Sequence, residues 1–254
     1  MQDQKLSLRQ KAHYESIHDV YEAHYYDATS MAYREEFIYD PMLRGLDLND
    51  KTVADLACGS GHTSLSLRRR FPHVSLTGFD ISPSACAAYE RRVGAPSRVT
   101  DLTKYEDRGA FDIAIIIAGL HHCVSDLQQT LSNIAAMLRP GGLFIMLEPS
   151  SLHFLERVRQ FWYRMDPSFD DQTEHALDHS ELLSLAHENF RVEMLKYFGG
   201  PGCFLILQSM ILRVPLWAKP ALAPPAMVAE RVWNQLPGPR WHNYFLARWE
   251  RIPF

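Results

Sequence analysis

The chain has 254 residues, of which 46% are hydrophobic and 22% are charged, and its formal net charge is −4 at pH 7. This composition can form the core of one α/β domain with an added lid, and it lacks the positive charge that gripping a nucleic-acid backbone requires. We therefore expect a single domain over residues 1–254 and no nucleic-acid partner.

The cysteines, the N-terminus and the apolar runs each exclude a class of protein. The sequence predicts neither a disulfide framework nor a metal site, because four scattered cysteines form no CxxC pair: Cys58, Cys86, Cys123 and Cys203. The N-terminal residues lack the apolar segment of a signal peptide, and no uncharged apolar run reaches the roughly 18 residues that span a bilayer. We expect a cytoplasmic protein.

Five strand-like segments alternate with helix-like segments. The predicted strands are 52–57, 74–79, 98–100, 111–118 and 143–147. The fourth is almost continuously apolar, which is typical of a parallel strand buried on both faces, and Pro140-Gly141-Gly142 is expected to separate a helix from the fifth strand. The alternation predicts a doubly wound, mainly parallel α/β sheet that binds ligands beyond the carboxyl ends of its strands.

Polar residues and glycines follow these strands and would share one crevice. Gly59 and Gly61 allow a ligand to approach the backbone closely, and Asp80 after the second strand suits the two hydroxyls of a ribose. The turn matches the GxGxxG of nicotinamide enzymes only in part, since its third small position is Ser64. Asp55 would repel a pyrophosphate and attract an ammonium, so a ligand with an amino-acid end is favoured over NAD.

The stretch DLACGSG, residues 55–61, resembles the first motif of the class I S-adenosylmethionine-dependent methyltransferases, an acidic residue followed by x-G-x-G-x-G. GFDISP around Asp80, Asp101-Leu102, and AGLHHCVSDLQQTLSNIAAMLRPGGLFIMLEP also resemble small-molecule members of that family. The match covers about residues 50–150. It implies a seven-stranded Rossmann-like sheet and S-adenosyl-L-methionine as the cofactor.

The resemblance also implies a role for individual residues. Those expected to contact the methionine, ribose or adenine part of the cofactor are Asp55, Ala57 in place of the first glycine, Gly59, Gly61, Asp80, Ile81, Asp101, Leu102, Ala118 and Tyr26. Simpler roles remain open for the acids: Asp55 and Asp80 could cap the helices that follow them, and Asp101 could form a turn.

Candidate catalytic and substrate residues lie after the fourth and fifth strands. His121 and His122 could take a proton from a hydroxyl acceptor, or could only fill the wall of the crevice. Glu148 could contact the substrate or cap the next segment. Phe161 and Trp162 lie on the apolar face of a predicted lid helix and are candidate substrate contacts.

The flanking segments are expected to define the acceptor. They are an N-terminal helical lid at 1–45 with tyrosines at helical spacing, a lid and substrate segment at 151–178, and an apolar insertion at 199–240 before the last strand. Sixth and seventh strands are predicted at 191–197 and 241–249. The insertion could be a cap or acceptor pocket, a homodimer contact or a membrane-surface segment, and its prolines are expected to break any long helix.

The sequence thus predicts a methyltransferase for a small-molecule substrate, with O-methylation of a secondary metabolite or sugar-bearing intermediate favoured by the histidine pair. The alternatives are a membrane-surface lipid or quinone methyltransferase, a non-catalytic adenosine-ligand-binding partner protein, and a nicotinamide oxidoreductase.

Overall fold

The computed structural model describes residues 22–104, 108–123, 126–165 and 175–253, and for 162–165 it describes the backbone alone. Most of the tyrosine stripe expected in the N-terminal lid, and the acidic segment that follows the lid helix, therefore lie outside the described residues.

Seven strands of the described chain form one sheet, in the order β3-β2-β1-β4-β5-β7-β6. The strands are β1 Thr52–Leu56, β2 Ser75–Asp80, β3 Ser97–Val99, β4 Phe111–Ile117, β5 Leu138–Pro149, β6 Phe190–Phe198 and β7 Tyr244–Arg251. The pairs β2·β3, β1·β2, β1·β4 and β4·β5 are parallel. The predicted fold class, a mainly parallel seven-stranded α/β sheet, is confirmed.

Helices alternate with these strands. They are α1 Ala28–Arg34, α2 Asp40–Leu43, α3 His62–Arg70, α4 Pro83–Val93, α5 Leu127–Met137, α6 Glu156–Met165, α7 His179–Ala186 and α8 Lys219–Trp233. Shorter π-helical or 3₁₀ turns cover Glu35–Tyr39, Leu120–His122, Cys203–Leu207 and Pro239–Trp241. Four of the helices begin at a side chain that accepts a backbone N–H of the first turn, as N-caps do: Asp27, Ser82, Asp126 and Asp178.

The chain contacts divide the protein into two compact units. The core unit contains Gly45–Glu148, Leu177–Leu195 and Ala247–Phe254, and the flanking unit contains Met1–Arg44, Pro149–Ala176 and Lys196–Leu246. In the core unit, β1 and β4 are buried on both faces, with Val53, Ala54 and Leu56 beside Ile113 to Ile116. The flanking unit combines α1, α2, α6 and the insertion.

Three boundaries differ from the sequence-based expectation. β5 begins at Leu138 rather than 143, because the chain pairs Phe111 with Leu138 and then Ile113 with Leu143, so the Pro-Gly-Gly lies in a bulge of the strand. β7 begins at Tyr244 rather than 241 because a 3₁₀ turn at Pro239–Trp241 precedes it.

The third difference is α8, a 15-residue helix that contains Pro224 and Pro225. The expectation that prolines break this segment was therefore wrong. A proline has no backbone N–H, so the carbonyls of Pro220 and Ala221 lack the donors that positions 224 and 225 would otherwise supply. All four of these residues are exposed, so water can replace the missing donors. Even so, no helix in the described part of the chain is long and apolar enough to cross a membrane.

Candidate functional site

The turn between β1 and α3 has left-handed backbone at three residues: Ala57 with φ 49°, Gly59 with φ 52° and Gly61 with φ 87°. A Cβ on Gly61 would lie 2.4 Å from Cγ2 of Val93, so this glycine lets α3 pack against α4. A Cβ on Gly59 would meet nothing within 4 Å. Gly61 is therefore required by packing, whereas the space beside Gly59 can receive a ligand.

Asp55 lies buried at the end of β1, behind this turn. Its Oδ2 accepts the Ser64 hydroxyl at 2.6 Å, and Oγ of Ser64 is 2.8 Å from the Tyr89 hydroxyl. Burial raises the pKa of Asp55 to about 7, against the hydrogen bonds from Ser64 that lower it. The carboxyl group thus ties β1 to the first turn of α3 and to α4, and its contact with a ligand stays a prediction.

Asp80 joins the loops that follow β1 and β2. Its Oδ2 accepts the backbone N–H of Gly59 at 2.9 Å, and its Oδ1 accepts that of Ser82 at 2.9 Å. Burial raises the pKa of Asp80, while these backbone donors lower it. A carboxylate oxygen can accept more than one hydrogen bond, so Asp80 can hold both loops and still receive the hydroxyls of a ribose. Ile81 is half-buried beside it.

Asp101 is held by the residues that follow it. Its Oδ1 accepts the Thr103 hydroxyl at 2.6 Å, and its Oδ2 pairs with Nζ of Lys104 at 2.6 Å. Burial raises the pKa of Asp101, but the Lys104 and Thr103 contacts outweigh it and leave the pKa below its usual value. The adjacent Leu102 is buried, and its carbonyl accepts Nδ2 of Asn133 at 2.8 Å. Asp101 thus stabilises the turn that follows it, and its contact with an adenine remains a prediction.

The loop after β4 approaches the first turn very closely. Ala118 has φ 53°, and a Cβ added to Gly119 would lie 2.6 Å from Cβ of Ala57. Position 119 must therefore be a glycine for the β1 and β4 loops to meet. Sequence reasoning assigned Ala57 and Ala118 to the site but did not identify Gly119, whose importance depends on a contact 62 residues away in the chain.

Glu148, at the end of β5, is 0% exposed and fixes this loop. Its Oε1 accepts the N–H groups of Gly119 at 3.0 Å and Leu120 at 2.7 Å. Its Oε2 accepts the N–H of His121 at 3.3 Å and lies 2.7 Å from Nδ1 of the same residue. Glu148 therefore holds the loop in place, and a direct contact of its side chain with substrate stays a prediction.

His121 acquires a defined tautomer from Glu148. Burial raises the pKa of Glu148 to about 7, and the backbone donors of Leu120 and Gly119 lower it. When the carboxyl group is ionised it can only accept hydrogen bonds, so Nδ1 of His121 carries the hydrogen and Nε2 carries the lone pair. His122 packs beside it with ring centroids 3.9 Å apart. Of the two histidines, His121 is therefore the one whose Nδ1 is held by a carboxyl group, as in a general base oriented by an acid.

The remaining predicted site residues belong to the flanking unit. Tyr26 is half-buried, with the Arg34 guanidinium 4.6 Å from its ring centroid. Phe161 is exposed on α6, and the side chain of Trp162 lies outside the described residues. Cofactor contact for Tyr26 and substrate contact for the two aromatic residues stay predictions.

Besides Gly119, sequence reasoning missed three residues that hold the predicted site residues in place: Ser64, Tyr89 and Asn133. Ser64 stands where a third glycine would be in GxGxxG, which could have drawn attention to its hydroxyl as a partner for a nearby acid. Tyr89 and Asn133 carry no comparable pattern, since each reaches its partner from the buried face of a helix.

Comparisons with known proteins agree with this geometry. Residues 54–144 match a family model described as a methyltransferase domain. These residues form a class I S-adenosylmethionine-dependent methyltransferase domain.

Two curated relatives match this methyltransferase domain. The chain is 28% identical over 109 residues to a demethylmenaquinone methyltransferase of Thermus thermophilus, covering 41% of this chain and 49% of that protein. It is 29% identical over 106 residues to a trans-aconitate 2-methyltransferase of Escherichia coli, covering 41% of each. The matches thus span half or less of the curated relatives' length.

A solved structure extends the likeness in fold. The N-methyltransferase NodS of Bradyrhizobium japonicum, in complex with S-adenosyl-L-homocysteine, superposes with a TM-score of 0.55 at 13% identity over 89% of each chain. At this identity the likeness concerns the fold alone. The two proteins therefore share a fold over most of their length, and the comparison says nothing about the acceptor of this chain.

Proposed function

We propose that the protein transfers the methyl group of S-adenosylmethionine to a small-molecule acceptor. The observation that carries this proposal is the hydrogen bond from the Gly59 N–H to Asp80, beside the open space at Gly59. It joins the glycine turn and the ribose-type acid into one cradle at the carboxyl ends of two adjacent parallel strands.

The residues present fit this cofactor. The turn from Ala57 to Gly61 would lie against the methionine part, Asp80 and Ile81 against the ribose, and Leu102 against the adenine. Asp101 would reach the adenine only if its contact with Lys104 loosens. When bound, S-adenosylmethionine supplies a methyl group on a positively charged sulfur, so the protein needs mainly to position the acceptor in line with it.

His121 is proposed as the general base for a hydroxyl acceptor, whereas a carboxylic acid is already ionised near pH 7 and needs no base. Glu148 orients the ring and stabilises the protonated form, while the lone pair on Nε2 receives the acceptor's proton. Both groups belong to the core unit: His121 follows β4, and Glu148 lies near the end of the adjacent strand β5. This arrangement favours oxygen as the methylated atom, and His122 then serves as a packing partner.

The curated relatives indicate that the acceptor is a small molecule, and they do not indicate which one. By their names, the curated relatives act on demethylmenaquinone and on trans-aconitate, both small molecules. We propose a secondary metabolite or sugar-bearing intermediate as the acceptor, contacted by Phe161 and Trp162 of α6.

Two other functions make different predictions. A lipid or quinone methyltransferase acting at a membrane surface is favoured by one observation, the exposure of the apolar residues Leu222, Val228 and Val232 on α8. A cofactor-binding partner protein without activity would bind S-adenosylmethionine but transfer no methyl group. A homodimer formed through 199–240 is compatible with each.

The test is a screen for methyl transfer from methyl-labelled S-adenosylmethionine. Carboxylic acids, phenols, sugar nucleotides, amines and detergent-dispersed quinones would be offered in separate pools, with Asp80→Ala as the matched background. Label transferred from the wild type to an oxygen acceptor, and absent with Asp80→Ala, supports the proposal. Label transferred only to a dispersed quinone, or cofactor binding without transfer to any pool, contradicts it and favours the first or second alternative.

A further inference from the structure

The hydroxyl of Tyr89 begins a chain of hydrogen bonds that ends at Asp55. The Ser64 hydroxyl donates to Oδ2 of Asp55 at 2.6 Å, and its Oγ lies 2.8 Å from the hydroxyl oxygen of Tyr89. All three side chains are buried, and they belong to β1, α3 and α4 of the core unit. Hydrogen bonds in such a buried chain are electrostatically stronger than they are in water, and each strengthens the next.

The chemistry of the three groups gives the chain one direction. An ionised carboxylate can only accept hydrogen bonds, so the hydrogen of the Ser64 hydroxyl points to Asp55. Oγ of Ser64 then has lone pairs, and no further hydrogen, to offer Tyr89. Burial raises the pKa of Tyr89 and the charge of Asp55 raises it further, so the tyrosine keeps its hydrogen and donates it. Tyr89 therefore polarises the Ser64 hydroxyl, which in turn stabilises the negative charge on Asp55.

Two glycines make room for the Tyr89 ring beside this chain. Gly78 of β2 is paired in register with Asp55 of β1, and a Cβ on Gly78 would lie 2.9 Å from Cε1 of Tyr89. A Cβ on Gly61, in the turn after β1, would lie 2.9 Å from Cδ2 of the same ring. The ring thus fills the space that side chains at 61 and 78 would need. Packing therefore holds the ring, and removal of the hydroxyl alone should leave it in place.

The same side of α4 also contacts the turn directly. Nη1 of Arg92 donates to the carbonyl of Ser60 at 3.1 Å, and Val93 is the nearest neighbour of the space beside Gly61. Residues 89, 92 and 93 are three and four positions apart and so share one side of the helix. These two contacts hold the backbone of the turn, whereas the Tyr89 hydroxyl reaches the acid behind it. A substitution can therefore remove the second contribution and keep the first.

We propose that Tyr89, acting through Ser64, is a positioning residue that determines how tightly the protein holds the ammonium group of its cofactor. The inference rests on the proposed function, in which Asp55 and the turn face the methionine part of S-adenosylmethionine. An ammonium near Asp55 is attracted by the charge that the two hydroxyls stabilise. The ribose and adenine are assigned to Asp80 and Leu102, so their binding should not depend on Tyr89.

The test compares two ligands in calorimetric titrations of the full chain. One is S-adenosyl-L-homocysteine, and the other is its analogue in which hydrogen replaces the amino group. The variants are Tyr89→Phe, which keeps the ring, Ser64→Ala, and the double variant. Thr52→Val is the matched control, because the Thr52 hydroxyl also donates to a carboxylate, Oδ2 of Asp112 at 2.8 Å, but at the opposite end of β1 from Asp55.

The loss of affinity should follow the hydrogen-bond chain. Wild type should bind the analogue about tenfold more weakly than S-adenosyl-L-homocysteine. Tyr89→Phe should weaken binding of S-adenosyl-L-homocysteine about fivefold and Ser64→Ala about tenfold, and each should change binding of the analogue by less than about twofold. The double variant should bind like Ser64→Ala, because Tyr89 acts through Ser64. Thr52→Val should bind both ligands like wild type.

Equal losses for the two ligands would show that Tyr89 only supports the fold, and would overturn the proposal. Unchanged binding by Tyr89→Phe, or losses that add in the double variant, would also overturn it while leaving the proposed function intact. A wild type that binds neither ligand would contradict the proposed function, and this inference with it.

Discussion

At the scale of single residues, the turn after β1 and the loop after β4 approach each other at Ala57 and Gly119. Ala57 keeps a left-handed conformation that costs a non-glycine residue roughly 1–2 kcal/mol. Its Cβ occupies the space that a side chain at 119 would need, at 2.6 Å. The two positions should therefore be energetically coupled.

We expect Gly119→Ala to lower the free energy of unfolding by about 2 kcal/mol, because the Glu148 contacts hold the loop after β4 and the Asp80 contact holds the turn after β1. Ala57→Gly should be nearly neutral, since relief of strain is offset by a more flexible unfolded chain. The double variant should recover about 1 kcal/mol of the loss. Urea unfolding of all four proteins measures this coupling, and strict additivity would show that the loops do not meet.

Asp55 should make stability depend on pH in a specific direction. Its folded-state pKa is raised from 3.8 to about 7 by burial, so the folded protein holds a proton that the unfolded chain has released between these values. The contribution of Asp55 to stability is therefore present below pH 3.8 and is lost as the pH rises to about 7.

Asp55→Asn removes this titration while keeping an acceptor for Ser64. The melting temperature of the variant relative to wild type should therefore rise between pH 4.5 and pH 7.5, because the wild type loses stability as the pH rises from the unfolded pKa of 3.8 to the folded pKa of about 7. Thermal unfolding at several pH values tests this. A constant difference across the window would mean that Asp55 is ionised in the folded protein throughout.

The two histidines should differ in their effect on catalysis. His121→Gln should lower kcat by about 100-fold with an oxygen acceptor, because the proton acceptor is lost, and should leave cofactor affinity close to wild type. His122→Gln is the neighbouring control and should lower kcat by less than about tenfold. Steady-state kinetics with the acceptor found in the screen would decide, and the reverse ranking would transfer the base role to His122.

At the scale of elements, a buried glutamate organises a turn in each unit. Glu148 gathers the N–H groups of 119–121 in the core unit, and Glu230 gathers those of 200, 202 and 203 in the flanking unit. Backbone donors that are buried without an acceptor are costly, so each turn depends on one carboxyl group.

Glu230→Ala should lower the free energy of unfolding by about 3 kcal/mol, since several buried donors lose their acceptor together. The adjacent Arg231→Ala is the control: its partner Glu36 lies at the surface, so the variant should unfold close to wild type. Chemical denaturation followed by circular dichroism compares the two. Equal stability of both variants would show that Glu230 does not hold the turn.

Elements with local determinants were predictable from the sequence. The strands β1, β2 and β4 follow from short apolar runs, and α4 follows from Ser82 and Pro83 at its start. The roles of Glu148 and Glu230 were not predictable, because their partners are 27–30 residues away in sequence. For the same reason α8 was not expected: its prolines argue against a helix locally, and long-range contacts of Lys219 and Glu230 stabilise it.

At the scale of the whole molecule, the alternation of strand-like and helix-like segments predicted the fold class. The acids Asp55 and Asp80 predicted a site at the carboxyl ends of the strands. The same information did not define the acceptor, because the segments expected to contact it carry no comparable motif. The central claim is therefore that the chain binds S-adenosylmethionine.

That claim is tested most directly by calorimetric titration of the purified chain with S-adenosyl-L-homocysteine, with NAD as the competing ligand and Asp80→Ala as the variant. Thermal unfolding of the unliganded variant would show that it is folded. We predict micromolar binding of S-adenosyl-L-homocysteine to the wild type, a loss of at least about tenfold in the variant, and no binding of NAD. No binding of S-adenosyl-L-homocysteine, equal affinity in Asp80→Ala, or a preference for NAD would contradict the account.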